Sequence, residues 1–411
     1  MNIYIEKLIS FKNAKKIMLT HAQTIKGSLR IRVVDALGYI TSKKIISPIN
    51  LPSFNSSAMD GYAIRYKDVK INHLLKINGN SLAGKPFQGN WHKNSVIQIT
   101  TGALIPQYCD LVIKEEDTKK FGNNIIITKP GILGQNIRWQ GENIKCGDLI
   151  VDLGVKLSIS ELPLIASLGI TKINVIRKLR VAIFSTGNEL QDIGKNIKIH
   201  QIYDINRFSI ALMLSKLGCE VIDLGIAKDN ANYIRGMIKQ ADDYTDIIIS
   251  TGGVSIGKTD FIKQVLEEKG KIIFWKVAIK PGKPFTFGHL NKSWFIGLPG
   301  NPVSAMVTFY HLAQPFILKC MGQTSPSITQ IHKVRTATTL KKSLGLTEFQ
   351  RGFLSQNYNN EMEVHSTGVQ DSHVYSSFSK ANCFIILEPE RGNIEIGELV
   401  QVELFNQLLK S

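Results

Sequence analysis

The sequence predicts a multidomain α/β protein, in which a doubly wound, mainly parallel α/β domain is joined to a β-rich inserted domain, an elongated connector and a small C-terminal β-barrel. Three observations predict it. The 411 residues exceed what one hydrophobic core usually holds. Strands and helices alternate from Arg180 to about Gly322, as in a parallel sheet covered on both faces. Short β-type runs broken by turns fill about 50–130 and return after Ser325. The expected division is 1–50 with 140–178 as connector, 51–139 as inserted domain, 179–324 as α/β domain and 325–411 as barrel.

In chain order, MNIYIEKLISFKNAKKIML carries Glu6 and no small-residue cleavage site, so it reads as an amphipathic helix and not as a signal peptide. VIQIT (96–100), DLVIKEE (110–116) and IIIT (125–128) read as strands of the inserted domain. In the α/β part, VAIFSTGNEL (181–190) is strand, loop and helix start, and 207–218 is a helix stopped by Gly218. EVIDLGIAKDN (220–230) is a strand running into a loop, a theme repeated at 246–257 and 294–306. FQRGFLS, NCFIILEPE and ELVQVELF supply the strands of the last domain, with 366–379 as a polar loop.

Lys and Arg number 50 against 33 Asp and Glu, a formal charge of +17. The basic residues are spread along the chain without forming an RNA- or DNA-binding module, so no nucleic-acid partner is expected. Five cysteines lie far apart with no C-x-x-C pair, which suits a reducing compartment and argues against structural zinc. No apolar run approaches the roughly 20 residues that span a bilayer. A soluble, cytoplasmic protein without a membrane partner is the expectation.

The chain is organised around DIIISTGGVSIGKTDF (246–261), a strand, a glycine loop and a helix start. Such a loop aims backbone N–H groups at one point, where an oxyanion binds. Gly252, Gly253 and Ser255 are the candidate contacts. GGVSIGKT also satisfies the P-loop pattern, but the apolar strands downstream, KIIFWKVAI and WFIGLPG, do not end in the carboxylate that a P-loop enzyme uses to hold magnesium.

In a doubly wound sheet the carboxyl ends of the strands share one edge, where ligands bind. That geometry gathers Glu189, Asp229 and Asp260 beside the glycine loops. Carboxylates next to an anion repel it unless a metal lies between, and Mg²⁺ suits carboxylate, phosphate and water ligands. KVAIKPGKPFTFG (276–288) adds Lys276, Lys280 and Lys283 as oxyanion ligands, with Lys276 and Lys280 on one strand face. LPSFNSSAMDGYAIR (51–65) presents Asp60 among small residues that let a ligand approach. GQNIRWQGEN (134–143) presents Arg138, whose fork fits phosphate or carboxylate. No nucleophile elbow accompanies the nine scattered histidines, so no covalent residue is assigned.

Nine segments in order, NSSAMDGYAIR, TTGALIP, GQNIRWQGEN, STGNEL, GGVSIGKTDF, KVAIKPGKPFTFG, GLPGNPVSA, FQRG and SHVYSSFS, carry a resemblance over almost the full length. The chain resembles the molybdopterin molybdenumtransferases, a family that includes the C-terminal part of gephyrin. The resemblance implies insertion of molybdate into adenylylated molybdopterin, with Mg²⁺ assisting and AMP released. It implies functional carboxylates at Asp60, Glu189, Asp229 and Asp260, and molybdate- and phosphate-side lysines at Lys276 and Lys280. Further active-site positions are Thr101 and Arg138, then Pro299, Pro302, Arg351 and Ser372 near the molybdate site. It also implies a homodimer whose cleft is completed by the partner's second domain, and contacts with a molybdopterin adenylyltransferase and with molybdoenzymes. The alternatives are a P-loop NTPase and a non-catalytic, gephyrin-like scaffold. Asn188 and Asn143 stand where the family usually has Asp, each removing a negative charge.

Overall fold

The protein is described here by a computed structural model covering residues 8–253, 261–324 and 331–410. The α/β sheet runs in the order Glu220–Ala227, Arg180–Thr186, Ile247–Thr251, Trp294–Leu298, Pro284–His289, Lys271–Lys280. The first four strands are mutually parallel and the last two are antiparallel additions. Ile247, Ile248 and Ile249 are wholly buried because both faces are covered, which is why this strand reads as a continuous apolar run.

Two apolar clusters lie on the two faces. One joins Ile183, Ile249 and Phe287 to helices Ile205–Leu217, Pro302–Thr308 and Gln314–Cys320. The other joins Phe184 and Ile248 to helices Ala231–Tyr244 and Phe261–Lys269. Helix Ile205–Leu217 begins where the Asp204 side chain accepts from the Arg207 N–H, and ends at Gly218 in the left-handed region. The helix expected to start at Glu189 and Leu190 is instead a short strand, Leu190–Gln191, paired with Ile202–Tyr203. In the intervening stretch 192–201 Gly194 takes a positive φ and Ile193, Ile197 and Ile199 stay exposed, and the helix begins only at Ile205.

The N-terminal segment departs from its expected grouping with the connector. Ile9–Ser10 pairs in parallel with Val277 and Ala278, and helix Phe11–His21 buries Ala14 and Met18 in the α/β core. The connector proper is held by Ser28–Arg32 against Lys172–Ile176 over a core of Val33, Ile45, Val151 and Leu157. It is tied to the α/β sheet by a two-pronged ion pair, Arg177 to Asp246, both bonds 2.7 Å.

The inserted region carries a six-stranded sheet with an apolar cluster on each face. The last region closes a small barrel: Thr347–Gln356, Met362–Ser366, Ile331–Thr336, Leu399–Leu404 and Cys383–Leu387 pair in a ring that returns to the first strand. That first strand also continues the α/β sheet, with Ile279 opposite Thr347 and Lys280 opposite Glu348. Among the described residues, no helix is long and apolar enough to cross a membrane.

Candidate active site

The parallel register brings the strand ends together. Thr186 faces Ala227, and Ser185 and Leu298 both face Thr251, so the loops that follow leave from one edge. Glu189 and Asp229 stand exposed on two of these loops. Gly252 and Gly253 have positive φ, and a Cβ on either would come within 2.8 Å or 2.6 Å of Thr186 oxygens. Glycine is therefore required because the loop crosses close over the neighbouring strand end. Ser255 and Asp260 lie outside the described residues.

A cleft of about 850 Å³ opens between this sheet and the barrel. Lys280 and Lys283 line it, with Asn301, Glu348, Gln350 and Ser372. The cleft exists because Ser372 stitches two domains: its hydroxyl accepts from Asn301 Nδ2 at 2.8 Å and its carbonyl from the Val303 N–H at 3.1 Å. Pro302 opens helix Pro302–Thr308, where a proline N–H would be unpaired in any case, while Pro299 is buried in the turn before it. Asn206 donates to the Gly300 carbonyl at 2.6 Å and holds the same turn from the other side. Lys276 is half-buried on the strand that ends at Lys280.

Arg351 lies elsewhere than in the cleft wall. It is fully buried, donating from Nε to Ser377 Oγ at 2.9 Å and from Nη2 to the Asp371 carbonyl at 3.2 Å. Burial pushes its guanidinium down to about 10, against the charges of Glu348 and Asp371. The structure places this residue in the interior, where it holds the 371–377 loop of the cleft from beneath. Strand alternation is the reason, since Glu348 and Gln350 face the cleft and Phe349 and Arg351 face inward.

Asp60, Thr101 and Arg138 form a second group on the inserted region. The exposed Asp60 carboxylate accepts from the Thr101 N–H at 2.6 Å and the Thr101 hydroxyl at 3.0 Å. These bonds, the backbone one first, hold its carboxyl below the usual carboxylate range. Gly61 fixes its approach, because a Cβ there would lie 2.0 Å from the Ile113 carbonyl oxygen. Arg138 pairs through its backbone with Ser56, which brings its loop beside the Asp60 turn. Among the described residues, no hydrogen bond or ion pair joins Asp60, Thr101 or Arg138 to the sheet edge.

Among the described residues no three His, Cys, Asp or Glu side chains converge as a metal site. Asp260 is outside that set. Glu189 curls back over its own strand end, where a Cβ on Gly187 would come within 2.7 Å of both carboxylate oxygens. Two exposed carboxylates on adjacent strand ends fit a hard cation that keeps most of its water and phosphate ligands, and do not fit an all-protein cage.

The chain matches known proteins over almost its whole length. Residues 9–169 match the MoeA N-terminal region (domain I and II), 182–319 a probable molybdopterin binding domain, and 333–405 the MoeA C-terminal region (domain IV). A molybdopterin molybdenumtransferase of Haemophilus influenzae is 45% identical over 98% of this chain and 100% of its own length. The chain belongs to the MoeA family of molybdopterin molybdenumtransferases. A solved MoeA protein from Pyrococcus horikoshii superposes with a TM-score of 0.84 at 29% identity, covering 97% of this chain and 100% of that one. Gephyrin of Dictyostelium discoideum is 30% identical over 96% of this chain and 62% of its own.

Membership in the MoeA family removes the P-loop reading of 252–259, and the scaffold reading gains no support. Sequence reasoning passed over Asn206, Asn301, Glu348, Gln350 and Gln370, all of which build the MoeA cleft or its loops. Gln370 closes its loop by accepting from the Arg351 N–H and donating to the Arg351 carbonyl and Ser366 Oγ. The available signal was adjacency: Glu348 and Asn301 sit inside or beside the quoted FQRG and GLPGNPVSA segments.

Proposed function

We infer that the chain is a transferase of molybdenum cofactor biosynthesis, inserting molybdate into adenylylated molybdopterin with release of AMP. The observation that carries this for the site is the cleft in which Lys280 and Lys283 meet the Asn301 and Ser372 loops, on the same sheet edge that bears Glu189 and Asp229. Two ammonium groups and an amide suit a tetrahedral dianion, and the sheet edge suits a phosphoanhydride.

In this reading Lys280 and Lys283 bind and orient molybdate, while Asn301 and Ser372 fix the wall against which it rests. Gly252 and Gly253, with Ser255, receive the phosphate side, and Lys276 stands on the strand leading to it. Glu189, Asp229 and Asp260 would hold Mg²⁺, which supplies charge neutralisation at the phosphate oxygens when bound. Positioning and charge complementarity carry the step, and no protein nucleophile is required.

Asp60, Thr101 and Arg138 act in the same reaction from a partner subunit. Support comes from their detachment from the sheet edge and from exposed Phe54, Met59, Leu104 and Trp139 around them, an apolar rim suited to a homodimer contact. The reading includes a cytoplasmic location, supported by five free cysteines, with molybdopterin adenylyltransferase and molybdoenzymes as encounter partners.

The test is AMP release from adenylylated molybdopterin with Mg²⁺, with and without molybdate, comparing wild type with Asp260→Ala and Lys258→Ala. Molybdate-dependent release that is lost in the Asp260 variant and kept in the Lys258 variant is expected. No release by a folded dimer would overturn the assignment.

A further inference from the structure

The wall of the cleft contains an acid that the lysines alone do not call for. Glu348 is 2% exposed, yet it lines the cleft directly across the strand pairing from Lys280. Its Oε1 accepts from Gln350 Nε2 at 2.9 Å and lies 3.3 Å from Lys280 Nζ. Among the described residues its buried Oε2 has no hydrogen-bond partner. Burying a carboxylate while leaving one oxygen unpaired is costly, and a glutamine of the same shape would avoid the charge. Lys280 is the exposed member of the pair, with its side chain 49% exposed, while Glu348 is buried. The neighbouring Lys342 is spent elsewhere, its buried ammonium donating to the Ser343 and Leu346 carbonyls at 2.6 Å and 2.7 Å.

We propose that Glu348 is a positioning residue that limits the oxyanion affinity of the cleft, holding the Lys280 ammonium until an oxyanion displaces it. The inference rests on the reading of the cleft as the molybdate site. A dianion reaching Lys280 must take the ammonium from a fixed carboxylate and then remain near that negative charge. Both effects weaken binding and speed release. A site built from lysines alone would be filled by any abundant tetrahedral oxyanion. The buried carboxylate keeps it exchangeable.

The experiment is calorimetric titration of the full-length protein with sodium molybdate, for wild type, Glu348→Gln, Glu348→Asp and Lys280→Ala. Glu348→Gln removes the charge and keeps the shape, and should bind molybdate about tenfold tighter. In turnover it should lower the molybdate KM without raising kcat. Glu348→Asp retracts the charge by one methylene and should tighten binding about two- to fivefold; it decides the matter if the Gln variant does not fold. A carboxylate that merely braces the strand predicts the opposite sign. Unchanged or weaker binding in the Glu348 variants, with Lys280→Ala weakened, overturns this inference and leaves the molybdate site standing. Absence of molybdate binding by wild type, or an unaffected Lys280→Ala, overturns the molybdate site and this inference with it.

Discussion

The two parts of the site are built in opposite ways. On the inserted region, the exposed Asp60 carboxylate is held, among the described residues, by Thr101, and Arg138 stands exposed beside it. At the seam between sheet and barrel, Glu348, Gln350 and Arg351 are buried and bonded into strands and loops, while Lys280 and Lys283 reach outward. The difference teaches which substitutions act through stability and which through chemistry. A buried, multiply bonded group holds the shape of the cleft, whereas an exposed group with one partner is free to meet a ligand.

The largest break in this contrast is Arg351→Ala, which removes a buried guanidinium and frees the 371–377 loop. It should lower unfolding free energy by about 3 to 5 kcal/mol, seen as a fall in the urea midpoint. Gly61→Ala tests the opposite region. There the glycine, and not the functional side chain, carries the structure, and a Cβ against the Ile113 carbonyl should cost about 2 to 4 kcal/mol. If Gly61→Ala is neutral, the close approach is not a constraint.

Lys280→Ala should do the reverse of Arg351→Ala. Molybdate-dependent AMP release should fall about 100-fold, while loss of the ion pair to the buried Glu348 should lower stability by about 1 kcal/mol, less than in Arg351→Ala. A large stability loss would mean that Lys280 belongs with the buried set.

Glu403 sharpens the picture of the seam. Burial pushes its carboxyl up to about 7, with Lys15 working against that, and burial pushes the His311 imidazole well below its ordinary value. With the imidazole kept uncharged, the two side chains, 3.7 Å apart, are not an ion pair. A carboxyl raised on folding stabilises below its unfolded pKa and loses that contribution as pH rises through about 7. Glu403→Gln should match wild type near pH 5 and exceed it by about 1 to 3 kcal/mol at pH 8.5 in urea melts.

The smallest effect belongs to Thr101→Val. It removes the hydroxyl donor to Asp60 and keeps the backbone donor, which is the larger cause of the lowered carboxyl. The Asp60 carboxyl should titrate higher than in wild type and still below the usual range, as read by carbon NMR. Loss of the whole shift would show that the hydroxyl, not the backbone, sets it.

Much of the fold was legible because its signals are local. The continuous run Ile247–Ile249 and the stop at Gly218 each report a strand or a helix end through neighbouring residues. The parallel order of strands then placed Glu189 and Asp229 on one edge without any contact having to be known. Ile9–Ser10 was not legible, because two residues carry no period and their partner lies at Val277 and Ala278.

By itself the sequence determined which residue types are present, in what order, and so the family, the alternating α/β pattern and the candidate lysines and acids. Only the tertiary structure decided which face each residue presents. The pairing of Lys280 with Glu348 put an acid beside the oxyanion lysine, and the same strand's alternation turned Arg351 inward to the core. The physical reason is that a β-strand's two faces differ by one residue in register. Which face is buried depends on partners far off in the chain, here Ile279 and Lys280.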